Sequence, residues 1–211
     1  MRLWGDSPAV RERLIALDAA QAQLVLCCEF IPHSLDRWLE DHARSGTIED
    51  IIDRVEQQLF AGVASLWRAD VVHFDLHFAN ILTDGERTQF TDFGLACSTI
   101  FELAPDEAAF LSLNASHDIC YVVTHLVNWL VTTHLGLTAR SDRVDYIERC
   151  SASSTATNLP ANAARIVARY APIAAGLNAF YGQLAQRNPG TPYPAARLLA
   201  ACAAAGLEAP P

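Results

Sequence analysis

Three oxygen-bearing side chains, Asp75, Asn80 and Asp92, fall within residues 71–96, VVHFDLHFANILTDGERTQFTDFGLA. Asp75 opens a short loop after the apolar pair Val71 and Val72, and Asn80 closes it five positions on. Residues 81–83 then read as a strand, Asp84 and Gly85 as a tight turn, and residues 89–91 as the returning strand. A hairpin of this length brings Asp92 back beside the loop that holds Asp75 and Asn80. The three side chains then converge at one end of the hairpin. Magnesium takes such a donor set: hard oxygen ligands, few of them from protein, with phosphate and water completing the shell.

HFDLHFAN, residues 73–80, fits H-x-D-x-x-x-x-N, and DFG follows at residues 92–94. In this order and spacing the two motifs resemble the catalytic loop and metal-binding motif of the protein-kinase-like superfamily. The resemblance implies that Asp75 accepts or orients the proton of an attacking hydroxyl. It implies that Asn80 and Asp92 hold magnesium ions bridging the phosphates of ATP. Gly94 would let the chain turn after Asp92, and His73 would be structural, packing and bonding to backbone. Phe74 departs from the Arg of many regulated protein kinases. His77 stands where Ser/Thr kinases carry Lys and in this resembles small-molecule kinases and some divergent protein kinases; it either approaches the γ-phosphate or is a solvated loop side chain.

The elements that must position this stretch can be read on either side of it. Residues 13–18 and 22–31 read as two strands joined by a short turn, the second apolar enough to be buried on both faces. EFIPHSLDRWL, residues 29–39, resembles the kinase hinge and the start of the helix beyond it, with Ser34 as a cap. By that resemblance Cys28 is the gatekeeper, and the backbone of Glu29 and Ile31 bonds adenine. The alternative is a strand-to-helix connection with no ligand. Residues 47–69 form the best helix, with Thr47 and Asp50 as a capping-box-like start. Ile48, Ile51, Ile52, Val55, Leu59, Val63, Leu66 and Trp67 make its buried stripe. Residues 95–116 lack an A-P-E motif and read as a short, divergent activation segment. Residues 116–118 open an apolar helix over 119–133. Asp118 has two readings: the buried Asp that in kinases ties down the catalytic-loop backbone, or a simple helix cap. Further helices are expected at 142–150, at 161–186 with an interruption at Pro172, and at 194–205, where Gly206 is the stop.

Composition bounds the class. The chain has 211 residues, 51% of them hydrophobic, enough for a sizeable core. Its net charge is −9 and no basic stripe appears, which argues against nucleic acid as a partner. The six cysteines include no C-x-x-C pair, which argues against a zinc site or a disulfide framework and for the reduced thiols of a cytoplasmic protein. The opening MRLWGDSPAVRER has no apolar run and so no signal peptide. Residues 119–137 are the most apolar stretch. Asp118, His125, Asn128 and His134 border or interrupt it, so it reads as a buried helix and not as a membrane span.

The resemblance covers roughly residues 13–205 and implies an α+β, protein-kinase-like fold. Residues 1–31 would be a remnant of the β-rich small lobe with its hinge strand. Residues 32–211 would be the helical large lobe, with the catalytic loop at 73–80 and DFG at 92–94. The glycine-rich loop and the third-strand Lys have no counterpart: all 15 basic residues are Arg. Either the chain starts late or the protein is a degenerate kinase. The leading expectation is ATP-dependent phosphoryl transfer to a hydroxyl, a protein Ser/Thr being the first choice of acceptor. The alternatives are a small-molecule kinase of the aminoglycoside or choline type, and a non-catalytic binding module. A protein partner could complete the small lobe.

Overall fold

A computed structural model describes residues 7–22, 25–186 and 191–208. The chain divides into two compact units, Met1–Phe30 and Ile31–Pro211. The described part of the first is one helix, α1 (Pro8–Asp18), and irregular chain. Helix α1 starts on a proline and buries no residue. The strand expected at 13–18 is therefore helix, and no strand lies in the described part of 22–31; residues 23 and 24 fall outside the description. The reason is physical. Ala, Arg, Glu and Leu dominate residues 9–17 and favour helix, and Pro8 pre-sets its first turn. A strand also needs a neighbour to take its backbone bonds, and the first unit offers none among the described residues. The apolar run expected to be buried is exposed: Val25 is 75%, Leu26 77% and Phe30 84% accessible.

The second unit is mixed helix and sheet. It begins with β1 (His33–Ser34), α2 (Leu35–Ser45) and α3 (Ile48–Arg68), followed by β2 (Val71–Val72). A 3-10 turn at Phe78–Asn80 leads into the hairpin β3 (Ile81–Thr83) and β4 (Thr88–Phe90). A second 3-10 turn at Phe93–Leu95 precedes β5 (Cys97–Ser98). The rest is helical: α4 (Pro105–Leu113), α5 (His117–Leu135), α6 (Arg140–Ser153), α7 (Ala161–Ala185) and α8 (Ala195–Ala204). Both sheets are antiparallel, in the orders β1-β3-β4 and β2-β5. The second pairs Val71 with Ser98 and Val72 with Cys97. It thereby closes the chain on itself around the segment between its two strands.

Helix α3 is the frame. Its whole expected stripe from Ile48 to Leu66 is buried, and Trp67 packs half-buried at the end. Thr47 is the N-cap residue but makes no side-chain cap bond; its hydroxyl turns back to the carbonyl of His42. Ser34 likewise occupies the N-cap of α2 without a side-chain bond. Gly62 of α3 faces the ring of Phe90, and a Cβ there would lie 2.5 Å from Phe90 Cζ. The missing side chain lets the hairpin settle onto the helix just before Asp92.

Helix α5 packs along α7, and α7 along α6. Eleven residues of α5 from His117 to Val131 are buried, so the most apolar stretch is a core helix. Among the described residues no helix is long and apolar enough to cross a membrane. The break expected at Pro172 does not occur: α7 runs through it. Ile166, Val167 and Tyr170 before the proline, and Ile173, Ala174 and Leu177 after it, are all buried. That burial outweighs the ~3 kcal/mol an internal proline costs. Helix α4 lies in the segment read as a divergent loop. Pro105 at its start and Glu107, whose carboxylate accepts the Ala104 N–H at 2.8 Å, are the signals that mark it.

Three acidic residues of α3 reach across to α7. The Glu49 carboxylate accepts the N–H groups of Asn162 (2.9 Å) and Ala163 (3.2 Å), closing the open N-terminus of α7. Glu56 is buried; it accepts the Tyr170 hydroxyl at 2.5 Å and Arg165 Nη2 at 2.7 Å. Arg165 also donates to Asp53 at 2.7 Å. A buried carboxylate is tolerated because both its oxygens are bonded. Tyr170→Phe leaves Glu56 Oε1 in the core without its donor. It should lower the urea midpoint at unchanged slope, by the equivalent of about 1.5–3 kcal/mol.

Candidate functional site

The segment between β2 and the hairpin is held by its backbone. The Asp118 carboxylate, wholly buried at the start of α5, accepts the His73 N–H at 2.6 Å on Oδ2 and the Phe74 N–H at 2.9 Å on Oδ1. Of its two readings, the tie to the loop backbone is the one the structure shows. Phe74 takes φ +64°, a left-handed conformation that costs a bulky residue energy unless the surroundings impose it. His73 is also fully buried. Its Nε2 donates to the Thr91 carbonyl (3.0 Å) while Nδ1 accepts the Asp75 N–H (3.3 Å). The two bonds fix its tautomer and confirm its structural role. The Thr91 N–H in turn donates to the Asn80 carbonyl at 3.0 Å. The residue before Asp92 is thus clamped to both ends of the loop.

Asn80 is buried and points its amide at Asp75. Its Nδ2 donates to the Asp75 carbonyl (3.0 Å) and to Asp75 Oδ2 (3.2 Å). With Nδ2 committed, Asn80 Oδ1 is left as a free acceptor. The Asp75 side chain is about a third exposed, and Oδ1 has no hydrogen-bond partner among the described residues. His77 Nε2 lies 3.7 Å from Asp75 Oδ2, an ion-pair distance too long for a hydrogen bond. Asp92 is exposed and itself takes the left-handed conformation, φ +60° and ψ +64°. The chain turns after Asp92 through Phe93–Leu95, and the left-handed residue there is Asp92 and not Gly94. What Gly94 supplies is room: a Cβ there would lie 3.2 Å from Asp92 Oδ1.

The structure therefore brings together Asp75, Asn80 and His77, and ties the approach to Asp92 onto the same loop. One amide oxygen with its orientation fixed and one exposed carboxylate suit a hard cation that draws its other ligands from phosphate and water. Among the described residues no group of three or more His, Cys, Asp or Glu could form a metal cage on its own. The adenine candidates are placed differently. Cys28 and Glu29 lie in exposed, irregular chain of the first unit, and Ile31 opens the second unit partly buried.

A second layer behind the loop was missed by sequence reasoning. His117, Tyr121 and His125 recur every fourth residue on α5 and share one face. Their rings follow one another at 5.2 and 4.8 Å. Phe74 packs on His117 at 5.4 Å and Phe78 on His125 at 5.6 Å, so this face carries the loop from both sides of Asp75. His117 Nε2 pairs with the Tyr181 hydroxyl at 2.8 Å. Burial pushes the phenols of Tyr121 and Tyr181 up, and the negative charge of Asp75 adds to both. The four-residue spacing was the available signal; in an apolar helix it reads as core packing alone.

Burial pulls His125 down to about 4, with His77 adding to the shift and Asp75 opposing it. Unfolded, a histidine titrates near 6.5. As pH falls the unfolded chain takes the proton first, so stability present above about pH 6.5 is lost between there and about pH 4. The loss should be about 3 kcal/mol. Urea midpoints measured across this window should decline, and His125→Gln should flatten the decline except for the part due to His134, which burial also lowers.

Comparison with known proteins bears on the same stretch. Residues 12–107 match the family model described as the protein kinase domain. The matched stretch contains Asp75, Asn80 and the DFG at 92–94. No curated protein and no solved structure matches the chain. The motifs, their spacing and this match agree: a stretch of just under half the chain is similar to the protein kinase domain, which supports a protein-kinase-like superfamily, divergent or partial.

Proposed function

We propose that the protein transfers the γ-phosphoryl group of ATP to a hydroxyl, with a protein Ser or Thr as the acceptor. The family supports kinase-like phosphotransfer in general. The observation that carries the finer reading is the Asn80 amide bonded to Asp75, on a loop fixed by Asp118. It leaves one carboxylate oxygen of Asp75 and the amide oxygen of Asn80 free in set positions. The acceptor hydroxyl donates its hydrogen to Asp75 as its oxygen attacks the γ-phosphorus, and ADP departs. Asn80 and Asp92 would hold magnesium, which supplies charge neutralisation on the phosphates. His77 stands close enough to Asp75 to face the transferred group. On this reading residues 32–211 act as the large lobe, residues 1–31 are what remains of the small lobe, and the backbone of Glu29 and Ile31 receives adenine beside Cys28.

A second reading has a specific observation in its favour. The sequence has no Lys, and the described part of the first unit has neither a strand nor a buried side chain. Leu14, Ile15, Leu17, Val25, Leu26 and Phe30 are all exposed there. A partner protein that covers these side chains and brings the missing cation would make the chain one half of a kinase, or a binding module without activity alone. The two readings separate on transfer by the chain by itself, with protein acceptors and amino-sugars tried in parallel.

Asp75→Asn should leave ATP affinity within about threefold while cutting transfer ~10²–10⁴-fold. Transfer at the parent rate would remove Asp75 from the mechanism. Asp92→Ala should abolish the magnesium-dependent part of ATP binding measured by calorimetry. Equal affinity with and without magnesium in both proteins would refute the metal assignment.

A further inference from the structure

Three of the cysteines, Cys120, Cys150 and Cys202, are buried, and two of them touch. Cys120 Sγ on α5 lies 3.7 Å from Cys202 Sγ on α8, and both residues are wholly inaccessible. They are 82 positions apart in the chain, so the contact is made by the fold and not by local sequence. A disulfide bond is about 2.0 Å long, and closure requires the sulfurs to approach by under about 2 Å. Helix α8 can give that much. It buries only Leu198 and Cys202, with Leu198 seated where Gly176 of α7 leaves room: a Cβ there would lie 3.1 Å from Leu198 Cδ2. The other side is firm. Cys120 sits two residues after Asp118, in the first turns of α5. There its N–H donates to the Ser116 carbonyl at 3.3 Å, and the Ser116 hydroxyl meets Tyr193 Oη at 3.3 Å.

We propose that Cys120 and Cys202 are a modification site: a dithiol that glutathione disulfide oxidises to an intramolecular disulfide, tying α8 to the turn of α5 that carries Asp118. Enclosed thiols are inert at rest, so the reaction starts when α8 opens locally and presents Cys202. The Cys202 thiolate attacks one sulfur of glutathione disulfide. An S–S bond forms to Cys202, and one glutathione leaves as its thiolate. Cys120, having given up its proton, attacks Cys202 Sγ, and the second glutathione leaves. The two cysteines lose two electrons and two protons, and one glutathione disulfide becomes two glutathiones. The bond closes a long loop and holds the weakly anchored α8 in place.

The test uses the full chain in a glutathione disulfide/glutathione buffer without denaturant, followed by alkylation, digestion and mass spectrometry. The exposed Cys27 and Cys28 report that the oxidant has acted. The expected result is a peptide pair joined through Cys120 and Cys202, two hydrogens lighter than its parts and separated by dithiothreitol. Amide exchange in α8 should slow by about tenfold or more in the oxidised protein. Cys202→Ala should remove the joined pair; the main readout is on the unaltered chain, so a poorly folding variant does not decide it. Glutathione on Cys27 and Cys28 with Cys120 and Cys202 recovered as free thiols would overturn the proposal. So would a Cys120–Cys202 link that forms only in urea, or a link from Cys202 to another cysteine.

Discussion

A single buried carboxylate sets the shape of the site. Asp118 holds the N–H groups of His73 and Phe74, and every other feature of the loop follows from that hold. With the backbone at Phe74 forced into a left-handed step, the next residue, Asp75, turns outward. His73, fixed by the same bond, turns inward and reaches the Thr91 carbonyl. A carboxyl group inside a helical core is costly unless it is bonded, and here two backbone N–H groups bond it. Within the loop the carboxylate binds main chain only, its other contact being His117 Nδ1 at 3.5 Å on its own helix, so it constrains the path of the loop without constraining the side chain at position 74. Phe can therefore stand where many regulated kinases carry Arg, and here it packs on His117 and Phe110.

The remaining positioning is done by close approach. Gly62 admits the ring of Phe90 onto α3, and Gly94 leaves space for the Asp92 carboxylate. The aromatic and imidazole rings of α5 support the loop from behind. This second layer is where electrostatics and packing meet: burial disfavours the charged form of His125, and Asp75 opposes that shift.

The sequence made the site more legible than the part that precedes it. The hairpin was readable because Asp84 and Gly85 give turn chemistry between two short apolar runs; β4 runs 88–90, one residue earlier than expected. Helix α3 was readable because its stripe has a strict helical period. The two early strands were misread because an apolar run of that length fits a strand or a helix equally well, and only a neighbouring strand decides between them. Pro172 was misread for the opposite reason: the local rule is sound, but burial on both sides overrode it. Asp118 could be singled out by residue type, whereas its partners 45 and 44 positions back are set by tertiary structure. The contacts of Glu49 and Glu56 with α7 leave no trace in local pattern, since acidic residues in a helix read as a solvated face.

Those last contacts bear on when the protein becomes competent as it is made. Helix α3 leads through β2 into the loop that carries Asp75, yet its Glu49 and Glu56 are satisfied by residues more than a hundred positions later. Until α7 has left the ribosome, Glu56 has no phenol or guanidinium to meet and part of the apolar face of α3 is uncovered. The segment that carries the motif residues is therefore completed only by contacts with a later part of the chain. It waits, with part of its hydrophobic stripe open, for a later part of the chain, and during synthesis that interval leaves it exposed to aggregation and to chaperones.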